Sequence, residues 1–191
     1  MKSEEKQVSQ AIEKLGAKLK ETESENYNAL LKKATDGAIV PKDLMKIDDA
    51  KIESVYAQAY RYYNTGKYKE ASELFRYLMM INPTEAKYTL GLAACFHLLK
   101  DYNAAVQVYL LCGILDSNSP IPGFHASDCY LQMNDKVSAL VSLNMAIQKS
   151  GNRPEYQVLK DRATLTAETL KKELGLKDED LEVLKENSKK L

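Results

Sequence analysis

Residues of matching character recur every 34 positions through the middle of this chain, and that period constrains the fold more than any other feature. Counting from Ile52, the second unit opens at Ala86 and the third at Pro120. In the first unit Tyr62 stands at position 11, Gly66 at 15, Tyr68 at 17, Ala71 at 20, Phe75 at 24 and Pro83 at 32. The second unit has Phe96 at 11, Tyr102 at 17, Ala105 at 20 and Tyr109 at 24. The third has Tyr130 at 11, Ala139 at 20, Leu143 at 24 and Ala146 at 27. No insertion breaks the register, although Asn134 replaces the glycine and Lys136 the aromatic in the third unit. Units of this length stack, each burying its apolar face on the next.

The pattern resembles the tetratricopeptide repeat, a helix–turn–helix unit of the same length. It implies an all-α fold: three tandem repeats at 52–85, 86–119 and 120–153, with N-terminal helices and a C-terminal capping helix. The predicted helices cover 52–65 and 68–81, 86–99 and 102–115, and 120–133 and 136–149. The aromatic at position 11 is expected to pack inside each helix pair. Gly or Asn at position 15 permits the tight turn, since both tolerate positive φ. Ala at position 20 lets the second helix approach the first, and the large residue at 24 fills the layer. Pro83 ends the second helix of the first unit.

The flanks carry no repeat. Val8, Ile12, Leu15 and Leu19 form an amphipathic strip within residues 1–25. A second short helix is expected around Leu30 and Leu31, broken at Asp36–Gly37, and Pro41 opens a further turn. Residues 1–51 thus read as a helical extension and a possible dimer contact, with Asp48 capping the first repeat helix. Pro154 suits the first turn of a closing helix over 154–176, in which Tyr156, Leu159, Ala163, Ala167 and Leu170 share a face and Gly175 is the stop. Residues 177–191 read as a charged, frayed tail, with a short helix as the alternative.

Composition removes several classes of function. Lys plus Arg and Asp plus Glu are equal at 27 each, so the charge surplus that a nucleic-acid binder needs is absent. No apolar run reaches the ~18 residues of a membrane span. The charged N-terminus lacks the apolar core of a secretory signal. Three cysteines without CxxC spacing suggest a reducing compartment. Cys95 and Cys129 fall at position 10 and Cys112 at 27, where small apolar residues are wanted, so they read as structural filler. Only two histidines are available, and neither pairs with a cysteine. No phosphate-binding, nucleophile-elbow or zinc motif is found, so no catalytic residue, metal or cofactor is assigned.

Stacked repeats form a concave groove lined by positions 2, 5, 9, 12 and 13 of each first helix. These are Glu53, Tyr56, Tyr60, Tyr63 and Asn64; Lys87, Leu90, Ala94, His97 and Leu98; and Ile121, Phe124, Asp128, Leu131 and Gln132. The chain has 12 Tyr against 3 Phe and no Trp, and three of those tyrosines share one helix face here. Tyr56, Tyr60 and Tyr63 could pack against the N-terminal segment or belong to the core. Tyr62, however, is expected to hold the core position of that helix. A row of tyrosines beside it suits an extended peptide, because each ring offers apolar area and each hydroxyl a hydrogen bond. Tyr56, Tyr60, Tyr63, Leu90, His97, Phe124 and Asp128 are therefore the candidate peptide-binding residues.

The run from Asp36 to Tyr63, DGAIVPKDLMKIDDAKIESVYAQAYRYY, resembles the start of the repeat domain in class II type III secretion chaperones. The family pattern Y-x(3)-Y-x(2)-Y before a glycine turn is matched by Tyr56, Tyr60, Tyr63 and Gly66. EASELFRYL around Phe75, the Tyr88–Ala94 run ending in GLAA, and Pro122, Phe124 and His125 continue the likeness over about residues 30–170. The resemblance implies a bacterial cytoplasmic chaperone without enzymatic activity. Its implied partner is a hydrophobic translocator or effector protein of a type III secretion system, held soluble before export. An extended cargo segment of the P-x-L-x-P type would lie in the groove, with Tyr56, Tyr60 and Tyr63 forming pockets for its Pro and Leu side chains. Family members often form homodimers through N-terminal helices, which would employ the Val8–Leu19 strip; neither nucleic-acid binding nor membrane insertion is implied. The alternative is a tetratricopeptide-repeat scaffold or co-chaperone binding another peptide. A carboxylate clamp for acidic C-termini would need Lys, Asn and Arg at groove positions where only Lys87 fits.

Overall fold

The computed structural model describes residues 41–176. The chain divides after Ile47 into two compact units. In the first, helix α1 (Pro41–Leu44) is a single turn followed by Lys46 at φ 50°. The strip at Val8–Leu19, the helix expected near Leu30 and the tail at 177–191 lie outside the described residues.

The second unit carries α2 (Asp49–Asn64), α3 (Tyr68–Ile81), α4 (Ala86–Leu98), α5 (Tyr102–Leu115), α6 (Ile121–Gln132), α7 (Lys136–Ser150) and α8 (Gln157–Leu174). Each helix packs on the next in sequence, as a solenoid of hairpins requires. Three N-termini are fixed by aspartates. Asp48 accepts from the Ala50 amide at 3.0 Å, Asp101 from Ala104 at 3.2 Å and Asp135 from Ser138 at 3.0 Å. Each supplies an acceptor for a backbone N–H that the helix leaves unpaired. The bonds from Ser138 also hold the Asp135 carboxyl below its ordinary pKa.

The turn inside each hairpin uses one left-handed residue at position 15: Gly66 at φ 78°, Lys100 at 62° and Asn134 at 60°. Thr65 ends α2, its hydroxyl donating to the Arg61 carbonyl at 2.9 Å. Asn82 rather than Pro83 caps α3, and its N–H bonds to Leu78. A 3-10 turn at Pro154–Tyr156 precedes α8, which stops at left-handed Gly175. Arg153 ties this corner down, donating to the Asn118 carbonyl at 2.6 Å and lying 4.4 Å from the Tyr156 ring.

Small residues set the helix spacing. Ala71, Ala105 and Ala139 at position 20 are fully buried. So are Ala59, Ala93 and Ser127 at position 8, a second site of close helix approach. Phe75, Tyr109 and Leu143 at position 24 fill the layers between them. Position 11 differs from expectation in the first repeat. Tyr62 is only half-buried, with the Lys67 ammonium 5.7 Å from its ring, and the buried residues of α2 are Ile52 and Ala59. Phe96 and Tyr130 likewise border their clusters instead of filling them. The small residue at position 8 brings the backbones too close for a large ring to enter between them.

Candidate peptide-binding groove

The first helices of the three repeats, α2, α4 and α6, line a concavity of about 500 Å³. Its walls include Tyr56, Tyr60, Tyr63, Leu90, His97 and Asp128 from the residues the sequence singles out. At the α2 end the tyrosines form a graded surface. Tyr56 packs against Phe75 (6.1 Å between centroids) and Tyr88 (5.6 Å), while Tyr60 stacks on Tyr56 at 6.4 Å. Tyr60 is 54% exposed, so its ring is offered to a partner and contributes little to the core. Tyr63 is half-buried against Tyr68 at 5.7 Å, and burial raises its hydroxyl pKa. The Tyr63 ring therefore remains a neutral hydrogen-bonding group near pH 7.

The floor at the other end is built from imidazole and phenol. His125 stacks on buried Tyr109 at 5.7 Å, nearly parallel. His97 meets His125 at 6.4 Å and Tyr109 at 6.2 Å, both edge to face. Burial lowers the His125 pKa; Asp128 opposes it, and His97 and Arg162 add lesser falls. Burial also raises the Tyr109 hydroxyl pKa. Two charged side chains border the groove, Lys87 and Asp128. Lys87 is bonded to Glu53 at 2.7 Å, one repeat away, and lies 4.7 Å from the Tyr56 ring.

Phe124 is a correction to the expected lining. Its ring packs against the cluster of Ala139, Leu140 and Leu143 with α8, 5.5 Å from the Arg162 guanidinium. Among the described residues no fourth repeat follows α7, so α8 takes that place and draws position 5 of the third repeat toward itself. Four lining residues lie outside the groove positions expected from the repeat: Phe75, Gly91, Tyr109 and His125. Gly91 and His125 both occupy position 6, four residues from position 2 and three from position 9. That spacing places them on the groove face, and it is the signal that could have found them.

The cysteines are all free and buried. Burial pushes the Cys95 thiol up to about 12 and those of Cys112 and Cys129 up to about 11. Such thiols are protonated and shielded, the reverse of a reactive nucleophile's setting. Among the described residues no cluster of three or more His, Cys, Asp or Glu could hold a metal. No helix among them is long and apolar enough to cross a membrane.

Comparison with known proteins agrees with this fold. The tetratricopeptide repeat family matches residues 52–83 and 87–118. Chaperone protein SicA of Salmonella typhimurium is 31% identical over 137 residues, spanning 72% of this chain and 80% of SicA. Low calcium response locus protein H of Yersinia pseudotuberculosis is 29% identical over 155 residues, spanning 80% of this chain and 92% of the relative. Among solved structures, the Yersinia enterocolitica type III secretion chaperone SycD, in complex with a peptide of the translocator YopD, superposes with a TM-score of 0.64. That match is 29% identical and covers 66% of this chain and 97% of SycD.

Helical hairpins stacked around an aromatic concave groove define a protein of the tetratricopeptide-repeat class. Within that class, the chain belongs to the family of type III secretion translocator chaperones.

Proposed function

We propose that this chain binds an extended segment of a hydrophobic translocator protein in the groove between α2 and α6. Bound there, the cargo stays soluble in the bacterial cytoplasm until secretion. The observation that carries this reading is the exposed Tyr60 ring, stacked on Tyr56 at the mouth of a concavity walled by aromatic side chains. An apolar segment that must later enter a membrane is prone to aggregate. Sequestering it lowers the free concentration of the aggregating state by mass action. The disordered segment loses conformational freedom on binding, so affinity is moderate and release needs no hydrolysis. The protein acts by binding alone, without a catalytic step, and works as a homodimer. A carboxylate clamp is disfavoured because Lys87, the only lysine or arginine lining the groove among the described residues, is engaged by Glu53.

The test is fluorescence anisotropy with a labelled P-x-L-x-P peptide and the Tyr56→Ala, Tyr60→Ala and Tyr63→Ala variants. Binding to the parent is expected to saturate. Tyr60→Ala is expected to weaken it by about 1–3 kcal/mol, as for an aromatic hot spot. Unchanged affinity, with helical content intact by circular dichroism, would refute the groove assignment. Tight binding of a peptide ending in EEVD would favour the co-chaperone reading instead.

A further inference from the structure

We infer that the groove selects cargo segments carrying a lysine or arginine beside their apolar anchors, and that Asp128 is the residue that reads this cation. The inference rests on the groove being the cargo site, and it adds the charge chemistry of the segment. Of the two charged side chains lining the concavity, Lys87 is neutralised by Glu53 at 2.7 Å. Asp128 has no such partner among the described residues. The nearest basic atom to it is His125 Nδ1 at 4.0 Å. That imidazole lies flat on buried Tyr109 and faces His97, an environment that keeps it neutral near pH 7. The groove therefore ends in an uncompensated carboxylate.

In the free protein the Asp128 side chain is 46% exposed and hydrated. An apolar segment laid over it would strip that water and strand a charge, which is strongly unfavourable. A segment with a lysine or arginine at this point replaces the lost hydration with an ion pair. The neighbouring surfaces suit such a side chain. The half-buried His97 and His125 rings provide flat faces on which a guanidinium or an aliphatic stem can lie. At the opposite end of the groove, the Lys87–Glu53 pair offers no net charge. The polarity thus also sets which way round the segment lies.

The experiment uses the full chain and labelled P-x-L-x-P peptides bearing Lys, Gln or Glu immediately before or immediately after the core, read by anisotropy. At one flank the Lys peptide is expected to bind about tenfold more tightly than the Glu peptide, the scale of a favourable charge pair. At the other flank the ratio stays near one. Asp128→Asn should bring the ratio at the sensitive flank close to one, and Asp128→Lys should invert it. Raising the salt to 0.5 M should shrink it in the parent. Equal binding of Lys and Glu peptides at both flanks, or a preference that survives Asp128→Asn, would overturn the inference. If those charge-blind peptides are still released by Tyr60→Ala, the groove assignment stands and only the reading of Asp128 falls. If no peptide binds, or Tyr60→Ala has no effect, both fall together.

Discussion

Gly91 of α4 lies flat against the ring of Phe75 from α3, so closely that a Cβ there would stand 2.5 Å from Cζ and 2.7 Å from Cδ1. Phe75 is buried, edge-on to Tyr56, and both Phe75 and Gly91 line the groove. The missing side chain thus fixes where the aromatic floor begins. Gly91→Ala would gain about 1 kcal/mol in helix propensity. It would also drive the Phe75 ring off its seat and toward Tyr56. The net expectation is a loss of about 1–3 kcal/mol in stability, as for other overpacked cores, together with weaker peptide binding. Urea unfolding and anisotropy measure the two effects. Phe75→Leu in the same chain should recover most of the stability, and a Gly91→Ala variant as stable as the parent would show the ring free to move.

The 34-residue period made most of the architecture legible, because each position does the same packing work in every unit. Ala71, Ala105 and Ala139 are all fully buried for one reason, and a periodic rule captures that. The rule fails where neighbours differ. Phe124 was expected in the groove by equivalence with Tyr56 and Leu90, but α8 replaces a further repeat beside it and takes its ring. Tyr109 reads as a layer filler at position 24, yet its ring also reaches the groove floor beneath His125. Gly91 looks like an absent side chain until the Phe75 ring is seen occupying its space. Pair contacts of this kind depend on where two helices cross, which one-dimensional spacing does not encode.

Lys100 is strained where its counterparts are not. It adopts φ 62° at the turn position that Gly66 and Asn134 fill in the other repeats. A left-handed L-residue carries a penalty of about 1–2 kcal/mol, while glycine carries an added unfolded-state entropy of about 0.5–1 kcal/mol. Lys100→Gly is therefore expected to raise stability by about 0.5–1 kcal/mol. Gly66→Ala should lower it by about 0.5–1 kcal/mol, the same conformational balance in reverse, because no atom lies within 4 Å of the new methyl. Paired urea midpoints decide this, and shifts in the same direction for both variants would contradict it.

Ala71 sits with no exposed surface at the contact of α3 with its neighbours. Leucine there would add three methylene-sized groups to a filled layer, forcing side chains off their rotamers. Ala71→Leu should cost about 1–3 kcal/mol. An unchanged thermal transition would mean that position 20 does not set the helix spacing.

His125 should make stability depend on pH over a limited window. Its folded pKa lies below the ordinary 6.5, chiefly because of burial. Below about pH 6.5 the unfolded chain binds a proton that the folded chain does not, so stability falls as the pH drops toward the folded value. Above 6.5 both states are neutral at this site, and the contribution is constant and fully present. His125→Phe keeps a flat ring on Tyr109 and removes the titration. Urea unfolding from pH 7.5 to 5 should therefore show the parent losing stability relative to the variant as the pH falls. The carboxylates titrate in both proteins and cancel in that difference. Parallel profiles would mean that His125 is as easily protonated in the fold as in the open chain, contrary to a ring held between Tyr109, His97 and Phe124.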